Sequence, residues 1–263
     1  MLLLLLYLLR PIGASNLDTA KFCNECGLRL ETKTVVKTVK IYPSEKLAET
    51  LRQRAQTLDR KPQADIMFVL DCTGSMQGEI DGIKETIMEF ADTIEKDRVR
   101  VRLGLIEFRD RLINEEHQVL KFNGEVFTNN PILFRQKVSK MKAYGGRDAP
   151  ESSLDAVMLA LAQPFDLESN KAIVLVTDAP PHIPDKETQN IQEVVTAIQN
   201  RGIEQFYLVI ATQNSESQVY LKLLSGVKGM AFDLGKGDDF RSRAENFKRT
   251  LMSLGKTIST ATR

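Results

Sequence analysis

Three short stretches of the chain set oxygen-bearing side chains at spacings that suit a cation. In Asp71-Cys72-Thr73-Gly74-Ser75-Met76 one carboxylate and two hydroxyls alternate, and alternation along an extended turn aims all three oxygens the same way. Gly145-Gly146-Arg147-Asp148-Ala149-Pro150-Glu151 is a glycine-rich loop that delivers acids onto the start of a helix at Leu154. Val176-Thr177-Asp178 ends on a further carboxylate. Hard oxygen donors that need no His or Cys suit Mg²⁺, Mn²⁺ or Ca²⁺ rather than zinc. Carboxylates gathered without a cation repel one another and raise their own pKa values, a conflict that a bound dication removes.

Convergence of the three stretches requires elements that end at one place. Ile66-Met67-Phe68-Val69-Leu70, Ile173-Val174-Leu175-Val176 and Phe206-Tyr207-Leu208-Val209-Ile210-Ala211 are continuous apolar runs, the pattern of strands covered on both faces. Between Val99 and Phe108 the pattern alternates, which predicts a neighbouring strand with a less buried flank, and Met230 to Leu234 could close one edge. Apolar residues recur at helical spacing in Ile80, Ile83, Ile87, Phe90 and Ile94; in Leu154, Val157 and Leu161; in Ile191, Val194 and Ile198; and from Phe240 to Ile258. Strands alternating with helices predict a doubly wound α/β fold whose mostly parallel sheet lies between two helical layers. Ligands in such sheets bind beyond the carboxyl ends of the strands, which is where the first and third stretches fall.

The ordered trio of D-x-T-x-S, acidic glycine loop and T-D resembles the metal-ion-dependent adhesion site of von Willebrand factor type A domains, over about residues 64–260. The resemblance implies a Rossmann-like fold in which Asp71, Thr73, Ser75 and Asp178 serve the metal, Thr73 keeping the hydroxyl of the family's first serine. In the middle loop, G-G-R-D-A-P-E is similar to the D-x-P-E variant of integrin β-type domains, which implies Glu151 as ligand, with Asp148 as second choice or as an outer or neighbouring-ion residue. It further implies metal-mediated adhesion or assembly: the ion, expected to be Mg²⁺ with Mn²⁺ or Ca²⁺ as alternates, keeps a position open for an acidic side chain of a protein partner.

The rest of the chain bounds these expectations. Lys and Arg total 36 against 35 Asp and Glu, so a formal charge of +1 gives no field to recruit nucleic acid or an anionic membrane. Three cysteines, unevenly placed, do not make a disulfide framework and favour a reducing compartment, hence cytoplasm. The opening MLLLLLYLLR is too short for a membrane span, which needs about 20 residues, and no positive charge precedes it. Gly13-Ala14-Ser15 could pass for a cleavage site, which leaves secretion as the alternative.

The expected organisation is an apolar leader of doubtful origin at 1–12, a partial zinc-ribbon-like segment at 13–31, a connector with a helix at 32–62, and the main domain at 64–260. Cys23 and Cys26 form a C-x-x-C-G knuckle, half of a four-thiolate zinc site, so zinc binding is not expected from this chain alone. No enzyme activity is expected. Cys72 has no base near it in sequence, and His117 and His182 complete no triad. Two rival readings stand beside the binding module. One is a metal-dependent hydrolase or phosphoryl-transfer enzyme, since acids at parallel strand ends also serve those reactions. The other is a scaffold with a vestigial metal site.

Overall fold

The structure, a computed structural model, describes residues 63–96, 100–147, 149–235 and Arg249. The leader, the zinc-ribbon-like segment with Cys23 and Cys26, the connector helix, the terminal stripe from 240 to 258 apart from Arg249, and Asp148 lie outside the described residues.

Strand β1 (Gln63–Asp71) is followed by a 3-10 turn (Gly74–Gly78), helix α1 (Ile80–Lys96), β2 (Arg100–Phe108), a second 3-10 turn (Arg111–Ile113) and the short β3 (Gln118–Val119). Helices α2 (Pro131–Val138) and α3 (Ser153–Leu161) lead to β4 (Asn170–Thr177). Helix α4 (Ile191–Asn200), β5 (Gln205–Ile210), a 3-10 segment (Ser217–Leu224) and β6 (Lys228–Asp233) complete the described part. The strands form one six-stranded sheet in the order β3-β2-β1-β4-β5-β6. All neighbours are parallel except β3, which runs antiparallel to β2.

The continuous apolar runs follow from burial on both faces. Ile66, Phe68 and Leu70 of β1 pack with Ile83, Ile87 and Phe90 of α1 and Phe134 of α2. The intervening Met67 and Val69 pack with Leu154 and Val157 of α3, Val194 and Ile198 of α4, and Tyr220. A period of two therefore splits one strand between two cores.

Two expectations change. The less buried flank of β2 is confined to its first three residues, because β3 and the segment pairing Leu103 with Thr128 cover the rest. Helix α2 was not among the expected helices; Pro131 at its first position and Asn130, whose side chain accepts from the Leu133 amide, start it.

The strand order reverses between β1 and β4. Chain leaving β1 turns toward β2 and α1, whereas β4 leads away toward β5, so a crevice opens between their carboxyl ends. Leu70 pairs with Val176 there, which brings Asp71 and Asp178 to the same end of adjacent strands.

Candidate metal centre

Asp71 is the last residue of β1 and fully buried. Its Oδ1 accepts from the Thr73 amide at 2.9 Å and the Thr73 hydroxyl at 2.7 Å, while Oδ2 accepts from the Thr177 hydroxyl at 2.6 Å. Ser75 donates its hydroxyl proton to Asp178 Oδ1 at 2.9 Å, across 103 residues of sequence. Thr73 Oγ1 and Ser75 Oγ lie 3.1 Å apart. Each hydroxyl has one proton. With those protons committed to Asp71 and Asp178, the two oxygens face each other with lone pairs only, an arrangement that repels unless positive charge lies against both.

Glu151 reaches the same place from the middle loop. Its amide donates to the Pro180 carbonyl at 2.9 Å and its carbonyl accepts from the His182 amide at 3.0 Å, so its backbone is stapled to the loop after β4. The side chain is buried, and Oε2 has no hydrogen-bond partner. A Cβ placed on Gly146 would lie 2.9 Å from Glu151 Oε1 and 3.0 Å from Thr73 Cβ, which puts the carboxylate beside the hydroxyl loop. The five expected residues other than the undescribed Asp148 thus gather: four are linked by hydrogen bonds, and Glu151 shares with Thr73, Ser75 and Asp178 the wall of a cavity of about 420 Å³.

The electrostatics of this group are strained. Burial pushes the Asp71 carboxyl up to about 6, against the pull of its hydrogen bonds from Thr177 and Thr73. Glu151 is pushed up to about 9, first by burial and then by the charges of Asp71, Asp110, Glu115 and Asp178. Among the described residues no three His, Cys, Asp or Glu side chains gather as a metal-holding group. The donor set is instead two hydroxyls with flanking carboxylates, which is the chemistry of a hard dication and leaves thiolate-seeking metals without ligands. Lone pairs without protons, an unpartnered buried carboxylate oxygen and upward-shifted acids all fit a divalent cation.

Several residues that hold the site have no signature in the sequence. Thr177 stands in the T-D stretch but its hydrogen bond to Asp71 depends on strand pairing. Glu115 accepts from the Gly146 amide at 2.8 Å, and the Gly145 carbonyl accepts from the Gly74 amide at 2.9 Å. Gly145 and Gly146 both have positive φ, and a Cβ on Gly145 would run into the Glu115 carboxylate. The buried Tyr220 hydroxyl lies 2.6 Å from Ser153 Oγ and donates to the Ala179 carbonyl at 3.1 Å, tying the start of α3 to the residue after Asp178. Asp110 Oδ1 accepts from the Leu112 amide at 2.8 Å and stands 3.3 Å from His182 Nε2, so His182 lies beside an acid on the flank of the site. Cys72 is buried with its thiol pKa raised by desolvation, the state of a packing residue.

The reversal of strand order with oxygen-rich loops around it defines a doubly wound α/β domain with a cavity at its strand ends. Residues 65–223, more than half of the chain, match the family model of the von Willebrand factor A domain, and the chain belongs to that family. Human von Willebrand factor A domain-containing protein 7 is 29% identical over 205 residues, 76% of this chain and 21% of that protein. The rat protein of the same name is 31% identical over 177 residues, covering 65% and 18%. Alpha-protein kinase vwkA of Dictyostelium discoideum is 25% identical over 140 residues, covering 52% and 22%. The chain therefore spans about a fifth of the length of these relatives. Among solved structures, the pilus adhesin SpaC of Lactobacillus rhamnosus GG in its open conformation shares the fold, with a TM-score of 0.56 and 14% identity over 78% of this chain and 31% of that one.

Proposed function

We propose that the chain is a divalent-metal-dependent interaction module that takes an acidic group of a protein partner, and not an enzyme. Thr73 and Ser75 would hold the cation directly, with Glu151 as the middle-loop acid and Asp71 and Asp178 orienting the two hydroxyls; Asp148 stays a second middle-loop candidate. Mg²⁺ is the first choice, with Mn²⁺ or Ca²⁺ as alternates. The bound ion supplies positive charge to which an external carboxylate oxygen can attach. The observation that carries the reading is the 3.1 Å approach of Thr73 Oγ1 and Ser75 Oγ, whose protons are both engaged elsewhere.

Binding is favoured over turnover because both oxygens of Asp71 accept hydrogen bonds from hydroxyl and amide donors, which makes it a weaker nucleophile at the end of β1. Cys72, buried and held as a thiol, is a poor nucleophile too. The free Cys72 and the low cysteine count suit the reducing cytoplasm proposed as its setting. Among the described residues no helix is long and apolar enough to cross a membrane.

Calorimetric titration of the full chain with Mg²⁺ and Mn²⁺ tests the reading. The parent is expected to bind, with affinity reduced at least about tenfold in Asp71→Ala and in the milder Ser75→Ala. Equal heats in parent and variants, or none in the parent, would refute it. Turnover of a phosphate ester lost in Asp71→Asn would point to the enzyme reading instead.

A further inference from the structure

The walls of the cavity at the strand ends are acidic, yet one cation stands among them. Glu151 and Asp178 line the cavity of about 420 Å³, and of its lining residues Arg147 alone is positively charged. Arg147 is exposed, and no hydrogen bond or ion pair to a described residue holds its guanidinium. Other arginines of the domain are committed. Arg102 grips Asp65 through two nitrogens, Arg109 bonds Glu107 and the carbonyls of Lys142 and Tyr144, and Arg111 bonds Glu116, Asp155 and Glu187.

The backbone that carries Arg147 is fixed even though its head is free. Gly146 is held by Glu115 and Gly145 by Gly74, one residue from Thr73, so the pedestal of Arg147 is bonded to the hydroxyl loop itself. A fixed pedestal beneath a free guanidinium suits meeting something from outside, because the side chain, and not the loop that carries it, is what has to be ordered on binding.

Charge counting says what that something is. Ionised Asp71, Glu151 and Asp178 against one dication leave a net negative site, and an arriving carboxylate would add another negative charge. A cation at the mouth offsets that repulsion, and a guanidinium offers paired N–H donors that match a carboxylate. Asn214 also lines the cavity, and with its carbonyl oxygen accepting from the Glu216 amide its side-chain NH2 offers two donors.

We propose that Arg147 is the specificity-determining residue of this surface, pairing with the acidic side chain of a partner protein segment at the cavity mouth so that a carboxylate is accepted and an amide of the same shape is refused. The proposal rests on the reading of the cavity as a cation site. Water-proton relaxation of the full chain loaded with Mn²⁺ tests it, with propionate as a stand-in for a glutamate side chain and propionamide as the neutral control. Propionate is expected to displace metal-bound water from the parent while propionamide does not. In Arg147→Ala the half-effect concentration of propionate should rise about fivefold, and more in Arg147→Glu, with Mn²⁺ affinity kept within about twofold. An unchanged propionate response in both variants overturns the assignment of Arg147 and leaves the cation reading intact. Failure of the parent to bind Mn²⁺ overturns the reading beneath it.

Discussion

Two groups of acids flank the start of α3, each around one buried carboxylate, and they meet its charge differently. On one side Asp155, in the first turn of the helix, is bonded by Arg111 at 2.7 Å and by the amides of Thr188 and Glu187. The same guanidinium reaches Glu187 at 2.7 Å and Glu116 at 3.0 Å, and Lys186 takes the other oxygen of Glu116 at 2.8 Å. Burial works against the charge of Arg111, yet its bonds to Glu187 and Glu116 hold its pKa above the ordinary value. On the other side Glu151, two residues before the helix, has an unpartnered oxygen and a carboxyl pushed up to about 9. Where the chain built its own counter-ion, the acids are satisfied in place. Where it built hydroxyls instead, Glu151 is left with no cation bonded to it among the described residues.

The largest effect should come from breaking the self-sufficient side. Arg111→Ala strands the buried Asp155 without its cation and is expected to cost about 3 to 5 kcal/mol in denaturant unfolding, whether or not Mg²⁺ is present. A loss that Mg²⁺ reverses would show the two clusters to be alike after all.

Next comes His117, which lines a second cavity with Arg111, Glu116 and Asp155. Burial, and then the charge of Arg111, lowers its pKa to about 4 from an ordinary 6.5. The unfolded chain therefore binds the proton first, so this contribution is present above pH about 6.5 and is lost as pH falls toward 4, by at most about 3 kcal/mol. Unfolding followed across that window should show the fall, and His117→Gln should flatten it.

The smallest effect sharpens the contrast most. Glu151 has its pKa raised in the folded chain, so its ionisation destabilises the fold progressively as pH rises from about 4.5 to about 9. Metal-free Glu151→Gln should then be more stable than the parent by about 1 to 2 kcal/mol near pH 8. With saturating Mg²⁺ the order should reverse, because the parent alone keeps its full ligand set. Parent and variant melting together in both conditions would remove the distinction between the clusters.

The parts of the site that lie at strand ends were legible because burial on both faces leaves an unbroken apolar run that stops where the chain turns. Asp71 follows such a run directly and Asp178 follows one after Thr177, and Ser75 donates to Asp178. The supports were not legible. Glu115 and Asp110 sit in a polar stretch with no period, where an acid that braces a glycine loop looks like an acid on the surface. Tyr220 belongs to an apolar 3-10 segment whose hydroxyl contacts depend on how the helical layer lies over β4 and β5. Helix α2 left a start signal in Asn130-Pro131, but its weakly amphipathic Pro131–Val138 gave little periodicity to follow.

The Tyr220 phenol joins the head of α3 to the turn after β4, while the Gly74 amide holds the glycine loop. The rim loops are thereby bonded to one another and to the helical layer, so a force applied at the rim would load α3 and the turn after β4 as well as the loops themselves.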